Sequence, residues 1–172
     1  MGYVTDTGVT PEQWGLSANA LRAIGRFPAV QNGSGVSYGN GGVFTFDFST
    51  NPPTCLKLDE YSVITDVAIS SDGTRLAYCK NGTVYYRDWS NQEHPIAAGS
   101  DVSLTSNGRL VGFITTGGYA LYDVLNGTTK TYALPSGTWA QLAALSPDGT
   151  RIAYRVFGNQ GGDGLVIGTL TN

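Results

Sequence analysis

Asp72-Gly73-Thr74-Arg75-Leu76-Ala77-Tyr78 and Asp148-Gly149-Thr150-Arg151-Ile152-Ala153-Tyr154 are two spellings of one phrase. Asn32-Gly33-Ser34-Gly35-Val36-Ser37-Tyr38 and Asn107-Gly108-Arg109-Leu110-Val111-Gly112-Phe113 read as two more. The four start 40, 35 and 41 residues apart, so the chain is a tandem repeat. A period near 40 carrying several short strands per unit is the mark of a radially repeated all-β array.

The second repeat is the clearest. Val63 to Ser70 is an extended apolar run, Ser71 to Thr74 a turn, and Arg75 to Lys80 a strand. Asn81-Gly82 follows as a two-residue hairpin turn suited to the type I′ geometry, then Thr83 to Trp89 and a shorter outer strand over His94 to Ala98. Four antiparallel strands in a meander make one propeller blade. Laid on it at an offset of 40, the first repeat places Phe27 to Val30, Val36 to Tyr38, Gly41-Gly42 and Cys55 to Leu58. The third runs through Asp101 to Thr105, Leu110 to Ile114, Tyr119 to Val124 and Thr129 to Leu134. The fourth offers Ala140 to Leu145, Arg151 to Phe157, a loop over Gly158 to Gly164, and Leu165 to Leu170, with no fourth strand.

The expected fold is therefore all-β, a single propeller domain over 1–172 with four four-stranded blades at about 26–61, 62–100, 101–136 and 137–172. Residues 1–7 are the expected closing strand, pairing onto the last blade so that no sheet edge stays open. Residues 10–25 read as one short N-terminal helix, because Thr10-Pro11-Glu12-Gln13 resembles a capping box and Trp14, Leu21 and Ile24 follow at helical spacing up to Gly25. Within Leu76-Ala77-Tyr78 and Ile152-Ala153-Tyr154, large residues share one face and the small one takes the other, which lets a neighbouring blade approach closely. The Asp-Gly pairs read as turn chemistry, not as a calcium shell of clustered acids.

The phrases Ser146-Pro147-Asp148-Gly149-Thr150-Arg151-Ile152-Ala153-Tyr154 and Ser70-Ser71-Asp72-Gly73-Thr74-Arg75-Leu76-Ala77-Tyr78 resemble the TolB-type, WD-repeat-like propeller family. In the other two copies Asn32 and Asn107 stand for the Asp, and Gly35 and Leu110 for the Arg. The resemblance implies a blade and a protein-interaction role, and it fixes no catalytic residue. The family's usual rings have more than four blades, so this is a minimal ring or one that several chains complete.

Composition narrows the function. Ten basic against thirteen acidic side chains give a net charge of −3 without a Lys/Arg cluster, which speaks against nucleic acid as a partner. No apolar stretch approaches the ~20 residues of a membrane span, so membrane insertion is not expected. The absence of a signal-like leader points to a cytoplasmic or virion location before a secreted one. Three Asn-Gly-Ser/Thr sequons, at Asn32, Asn81 and Asn126, coincide with turns that want Asn-Gly anyway.

His94 is the only histidine, in an Asn-Gln-Glu-His-Pro loop, and no Gly-x-Ser-x-Gly elbow exists to present a nucleophile. Asp59, Glu60 and Asp66 near one blade junction are the carboxylates that a hydrolytic site would use. Cys55 and Cys79 lack metal-like spacing and read as free. No catalytic residue, metal or cofactor is expected. A non-enzymatic protein-binding or scaffolding module follows, with a virion, phage-tail or capsid subunit as the alternative and a glycan-binding or hydrolytic propeller as the next. The partner is a protein or neighbouring subunits, copies of this chain included. Tyr61, Tyr119 and Trp139 are the aromatic candidates for contact, on the face shared by the inter-blade connections and the hairpins, and Trp14 is a fourth, on its helix.

Overall fold

The computed structural model describes residues 12–28, 41–90, 92–134, 136–158 and 164–170. Within them the chain forms fifteen strands in four antiparallel sheets, one after another along the sequence. Blade 1 holds β1 (Gln13–Leu16), β2 (Arg22–Phe27), β3 (Gly42–Asp47) and β4 (Thr54–Asp59). Blade 2 holds β5 (Ile64–Ile69), β6 (Arg75–Lys80), β7 (Thr83–Asp88) and β8 (Glu93–Ala98). Blade 3 holds β9 (Ser100–Leu104), β10 (Leu110–Thr115), β11 (Gly118–Asp123) and β12 (Thr128–Ala133). Blade 4 has three described strands, β13 (Thr138–Leu145), β14 (Arg151–Gly158) and β15 (Gly164–Thr169). Every sheet is a plain meander, and the first strands pack in order, β1 on β5, β5 on β9, β9 on β13.

Each junction between blades is an apolar layer. Leu76 and Tyr78 of blade 2 pack with Ile24 and Val43 of blade 1. Val111 and Phe113 of blade 3 pack with Ala77, Cys79 and Val84 of blade 2. Ile152 and Tyr154 of blade 4 pack with Ile114 and Leu121 of blade 3. The residues facing one neighbour alternate along each strand with those facing the other, the period-two division that the repeated Leu-Ala-Tyr phrase implied.

The expected helix over 10–25 is absent from its described part, where β1 and β2 stand with a turn between them. Trp14 and Leu16 alternate with Gly15, whose missing side chain admits Ile69 of blade 2: a Cβ there would lie 2.8 Å from Ile69 Cγ2. At Ser17 the chain reverses, because the Ser17 hydroxyl donates to Asn19 (2.7 Å) and accepts from the Arg22 N–H (3.0 Å). The spacing of Trp14, Leu21 and Ile24 matched a helix only because a turn happens to separate two short strands.

That turn is also the true first copy of the repeated phrase. In blades 2, 3 and 4 the same two hydrogen bonds hold Ser70–Asp72–Arg75, Thr105–Asn107–Leu110 and Ser146–Asp148–Arg151. In blade 1 Ala20 takes the left-handed position (φ 56°) where the others have Gly73, Gly108 and Gly149. Alanine in place of glycine hid this copy and moved the expected frame. The first sheet therefore starts at Gln13, not near residue 26, and Phe27 belongs to its second strand. The Asn32 to Tyr38 phrase, the 1–7 strand and most of the 158–164 loop lie outside the described residues.

Neighbouring turns are tied together. Ala18 N–H donates to Ser71 O, Asp72 N–H to Ser106 O, and Ser106 N–H to Pro147 O. Arg22 reaches Gly73 O (3.0 Å) and Arg75 reaches Gly108 O (3.2 Å), so each of these guanidiniums clamps the next blade's turn.

Candidate binding surface

An antiparallel meander sends its connections alternately to two ends. The Ser/Thr-x-Asx turns gather at one end; the inter-blade connections 60–63 and 136–137 gather at the other with the hairpin turns Asn81-Gly82 and Thr116-Gly117. Tyr61 and Trp139 both belong to this second end.

Trp139 is 47% exposed and lies flat on Phe157, its partner across the sheet, with ring centres 5.7 Å apart and planes at 10°. The Arg155 guanidinium sits 4.4 Å over the same Phe157 ring. β13 and β14 run eight residues each, where their counterparts in blade 2 run six. Ala140↔Val156 occupies the place that Ile64↔Lys80 closes in blade 2, so the Trp139↔Phe157 and Thr138↔Gly158 pairs carry the hairpin past its neighbours. Trp139 also borders a groove of about 270 Å³ between blades 3 and 4, lined by Ile114, Thr115, Thr116, Gly117, Leu134, Ser136, Gly137, Thr138 and Ala140. Its lining has apolar and hydroxyl groups and no charge.

Tyr61 is half-buried. Arg26 stacks its guanidinium 3.8 Å from the ring centre, and the Tyr61 hydroxyl donates to Glu12, which also pairs with Arg26 at 3.0 Å. Accepting that hydrogen bond, Glu12 raises the Tyr61 pKa above the ordinary phenol value. Arg26 in turn donates to Ile64 O at 2.8 Å, so the cluster staples blade 1 to blade 2 while leaving the ring partly exposed.

The other two aromatic candidates are elsewhere. Tyr119 is 2% exposed, filling the room left by Gly112, where a Cβ would sit 1.7 Å from its hydroxyl; burial pushes its pKa up to about 12. It is a core residue, contrary to its expected place on the binding face. Trp14 is 64% exposed, but on β1 at the outer flank of blade 1 rather than on a helix.

Of the carboxylates weighed for hydrolysis, Asp59 and Asp66 tie blades together and Glu60 makes an exposed local pair. Asp59 pairs with Lys80 (2.8 Å) and Glu60 with Lys57 (2.7 Å). Asp66 accepts from the Gln13 side chain and from the N–H groups of Val67 (2.9 Å) and Val102, which links blades 1, 2 and 3 through one carboxylate. Burial raises its pKa above the ordinary range against the pull of those donors. His94 is stacked on Tyr86 with ring centres 4.7 Å apart. Cys55 is exposed, Cys79 is buried with its thiol on Gly99 O (3.0 Å), and both are free. Among the described residues no group of three or more His, Cys, Asp or Glu could hold a metal ion, and no helix is long and apolar enough to cross a membrane.

A second groove, about 290 Å³, opens at the turn end between blades 3 and 4. Its charges are already matched: Arg109 grips Asp123 at 2.8 Å, and Asp148 accepts from Ser146 and Thr150. Sequence reasoning reached Trp139 and Tyr61 but missed Phe157, Arg155, Arg26 and Glu12. The cross-strand partner of Trp139 could be found only with the irregularity between Gln141 and Ala144, which shifts the register.

No protein-family model matches the chain, and no curated protein matches it in sequence. Solved structures do match in fold. TolB from Acinetobacter baumannii superposes with a TM-score of 0.65 at 18% identity, over 94% of this chain and 41% of that one. The Dos1 propeller gives 0.62 at 16%, over 91% and 47%. Dipeptidyl peptidase 4 from Porphyromonas gingivalis gives 0.61 at 12%, over 87% and 29%. The fold is that of a TolB-type β-propeller repeat, and the chain spans less than half the length of these three structures.

Proposed function

We propose that this chain is a non-enzymatic, protein-binding β-propeller module that docks its partner at the hairpin end of blades 3 and 4. One observation carries the reading: a large aromatic ring, Trp139, stands half-exposed on a rigid cross-strand stack beside an uncharged groove. Aromatic side chains held in one orientation lose little entropy on binding, and they dominate the energetics of protein interfaces. A groove lined by aliphatic groups and hydroxyls suits an extended segment with apolar and small polar side chains better than a charged one. Tyr61, braced by Arg26 between blades 1 and 2, stands on the same end and offers a second contact to a partner that reaches that far. The non-enzymatic part of the reading draws support from Asp59, Glu60 and Asp66, whose charges are committed to ion pairs and backbone donors.

The test compares proteins captured from the native cell extract by the immobilised chain and by Trp139→Ala. Loss of an interface hot spot of about 2 kcal/mol corresponds to about a thirtyfold fall in affinity. Retained proteins should drop by that order with Trp139→Ala and stay unchanged with Asn126→Ala at the opposite end. Equal retention by wild type and Trp139→Ala would remove the proposed surface.

A further inference from the structure

The four blades leave two faces without a neighbouring sheet among the described residues, one at each end of the array, and those faces differ in kind. Inside the array the small residue of one blade (Ala77, Gly112) and its cross-strand partner turn toward the next blade, which answers with larger residues such as Val111 and Phe113 or Ile152 and Tyr154. In blade 4 the equivalent outward set is Ala153 with Ile167, then Arg155 with Leu165. Ile167 is 70% and Leu165 73% exposed. At the opposite flank, blade 1 turns outward the set that elsewhere packs on a preceding blade, and here it is unusually large. The Phe27 ring lies 5.8 Å from that of Phe44 and 6.2 Å from that of Phe46, Phe48 stacks on Phe46, and Trp14 and Leu16 extend the layer at 64% and 45% exposure.

At the turn end an arginine ties blade 1 to blade 2 and blade 2 to blade 3, while Leu110 packs on Gly149 at the third junction. Arg22 and Arg75 each clamp a glycine carbonyl in the next blade's turn. Arg151 holds the same position in blade 4 and is exposed, with no further turn beyond it among the described residues. The carbonyl position that such an arginine would reach is Ala20 in the turn of blade 1, also exposed.

We propose that blade 4 of this chain docks on blade 1 of a second copy, so that two copies close one ring of eight blades. The new junction repeats the pattern of those inside the chain: small and aliphatic residues of blade 4 against the aromatic layer of blade 1, with Arg151 on the Ala20 carbonyl as Arg22 and Arg75 sit on theirs at the first two junctions. Both faces belong to one sequence, so the contact is head-to-tail, and a pair of chains covers all four faces at once. The contact rests on the repeat geometry and not on the Trp139 groove.

Sedimentation equilibrium of the 172-residue chain should give twice its 18.1 kDa mass. Trp14→Asp and Ile167→Asp, both at exposed positions and checked for an unchanged circular-dichroism spectrum, should each sediment as monomers. A monomeric wild type overturns the proposal. So does a dimer that only one variant disrupts, which is face-to-like-face pairing. Open-ended filaments would likewise overturn the two-chain ring.

Discussion

The second and third strands of blades 3 and 4 pair in the same register, yet among the described residues one pair is packed on two faces and the other on one. Tyr119 and Leu121 on β11 are 2% and 8% exposed; Leu165 and Ile167, their counterparts on β15, are 73% and 70% exposed. Ile114 is buried where Arg155 is exposed. The strands do not differ in length or alternation enough to account for this. What differs is whether a further sheet lies against them, so burial in a repeat protein is set by position in the array as much as by the residue. The outward face of blade 4 nevertheless keeps Ala153, Ile167 and Leu165, an apolar surface of the kind a neighbouring sheet covers.

The strongest way to break the comparison is truncation at matched positions. Leu121→Ala should cost about 2 to 5 kcal/mol, because a cavity opens between two sheets that cannot collapse. Ile167→Ala should stay within about 0.5 kcal/mol, as exposed substitutions do. Urea unfolding in dilute, monomeric conditions measures both; equal losses would mean that blade 4 is covered after all.

A smaller contrast lies in the turns. Ser70 is fully buried and bridges Asp72 and the Arg75 N–H, whereas Ser146 makes the same bonds at the less covered end of the array. Removing a buried hydroxyl strands its partners at a cost of about 1 to 3 kcal/mol. Ser70→Ala should therefore lose about 2 kcal/mol and Ser146→Ala less than about 1 kcal/mol. Identical midpoints for the two variants would show that the turn's neighbours contribute nothing.

The finest contrast is in pH. Hydrogen bonds from Ser146 and Thr150 lower the Asp148 pKa from 3.8 to about 2. Its folded value lies below its unfolded one, so its contribution is complete above pH 3.8 and is lost as pH falls toward 2. Asp66 has the opposite sign, since burial raises its pKa above 3.8. Its stabilising contribution is complete below that value and is lost as pH rises through the raised one. Melting temperatures followed from pH 6 to pH 2 should fall less steeply for Asp148→Asn than for wild type. Asp66→Asn, lacking the opposing contribution, should fall more steeply. Parallel curves for all three would contradict both assignments.

Several features were legible from residues alone. Asn81-Gly82 adopts positive φ at both positions (50° and 75°), as a two-residue hairpin requires, and Leu76-Ala77-Tyr78 splits its large and small side chains between two junctions. The first blade escapes the Asx-Gly pattern because Ala20 follows Asn19 where the other turns have glycine. The deeper constant is a hydroxyl two residues before an Asx, with the hydroxyl oxygen accepting an N–H three residues beyond that Asx, and Ser17-Ala18-Asn19-Ala20-Leu21-Arg22 satisfies it. The binding candidates divided for a similar reason. Trp139 and Tyr61 sit in connections, whose place at an end of the array follows from the meander. The fate of Tyr119 depended on Gly112, a cross-sheet neighbour that no local pattern announces.

Local chemistry was thus enough to establish strands, turns and their repetition, because alternation and hydrogen-bonded turns involve residues a few positions apart. Which faces are covered, which carboxylates are spent on other blades, and where the array lies open were decided only in three dimensions. Those outcomes depend on contacts such as Gln13 with Asp66 and Arg75 with Gly108, between residues of different repeats. Their strength comes from excluding water between whole sheets, and no single repeat can do that alone.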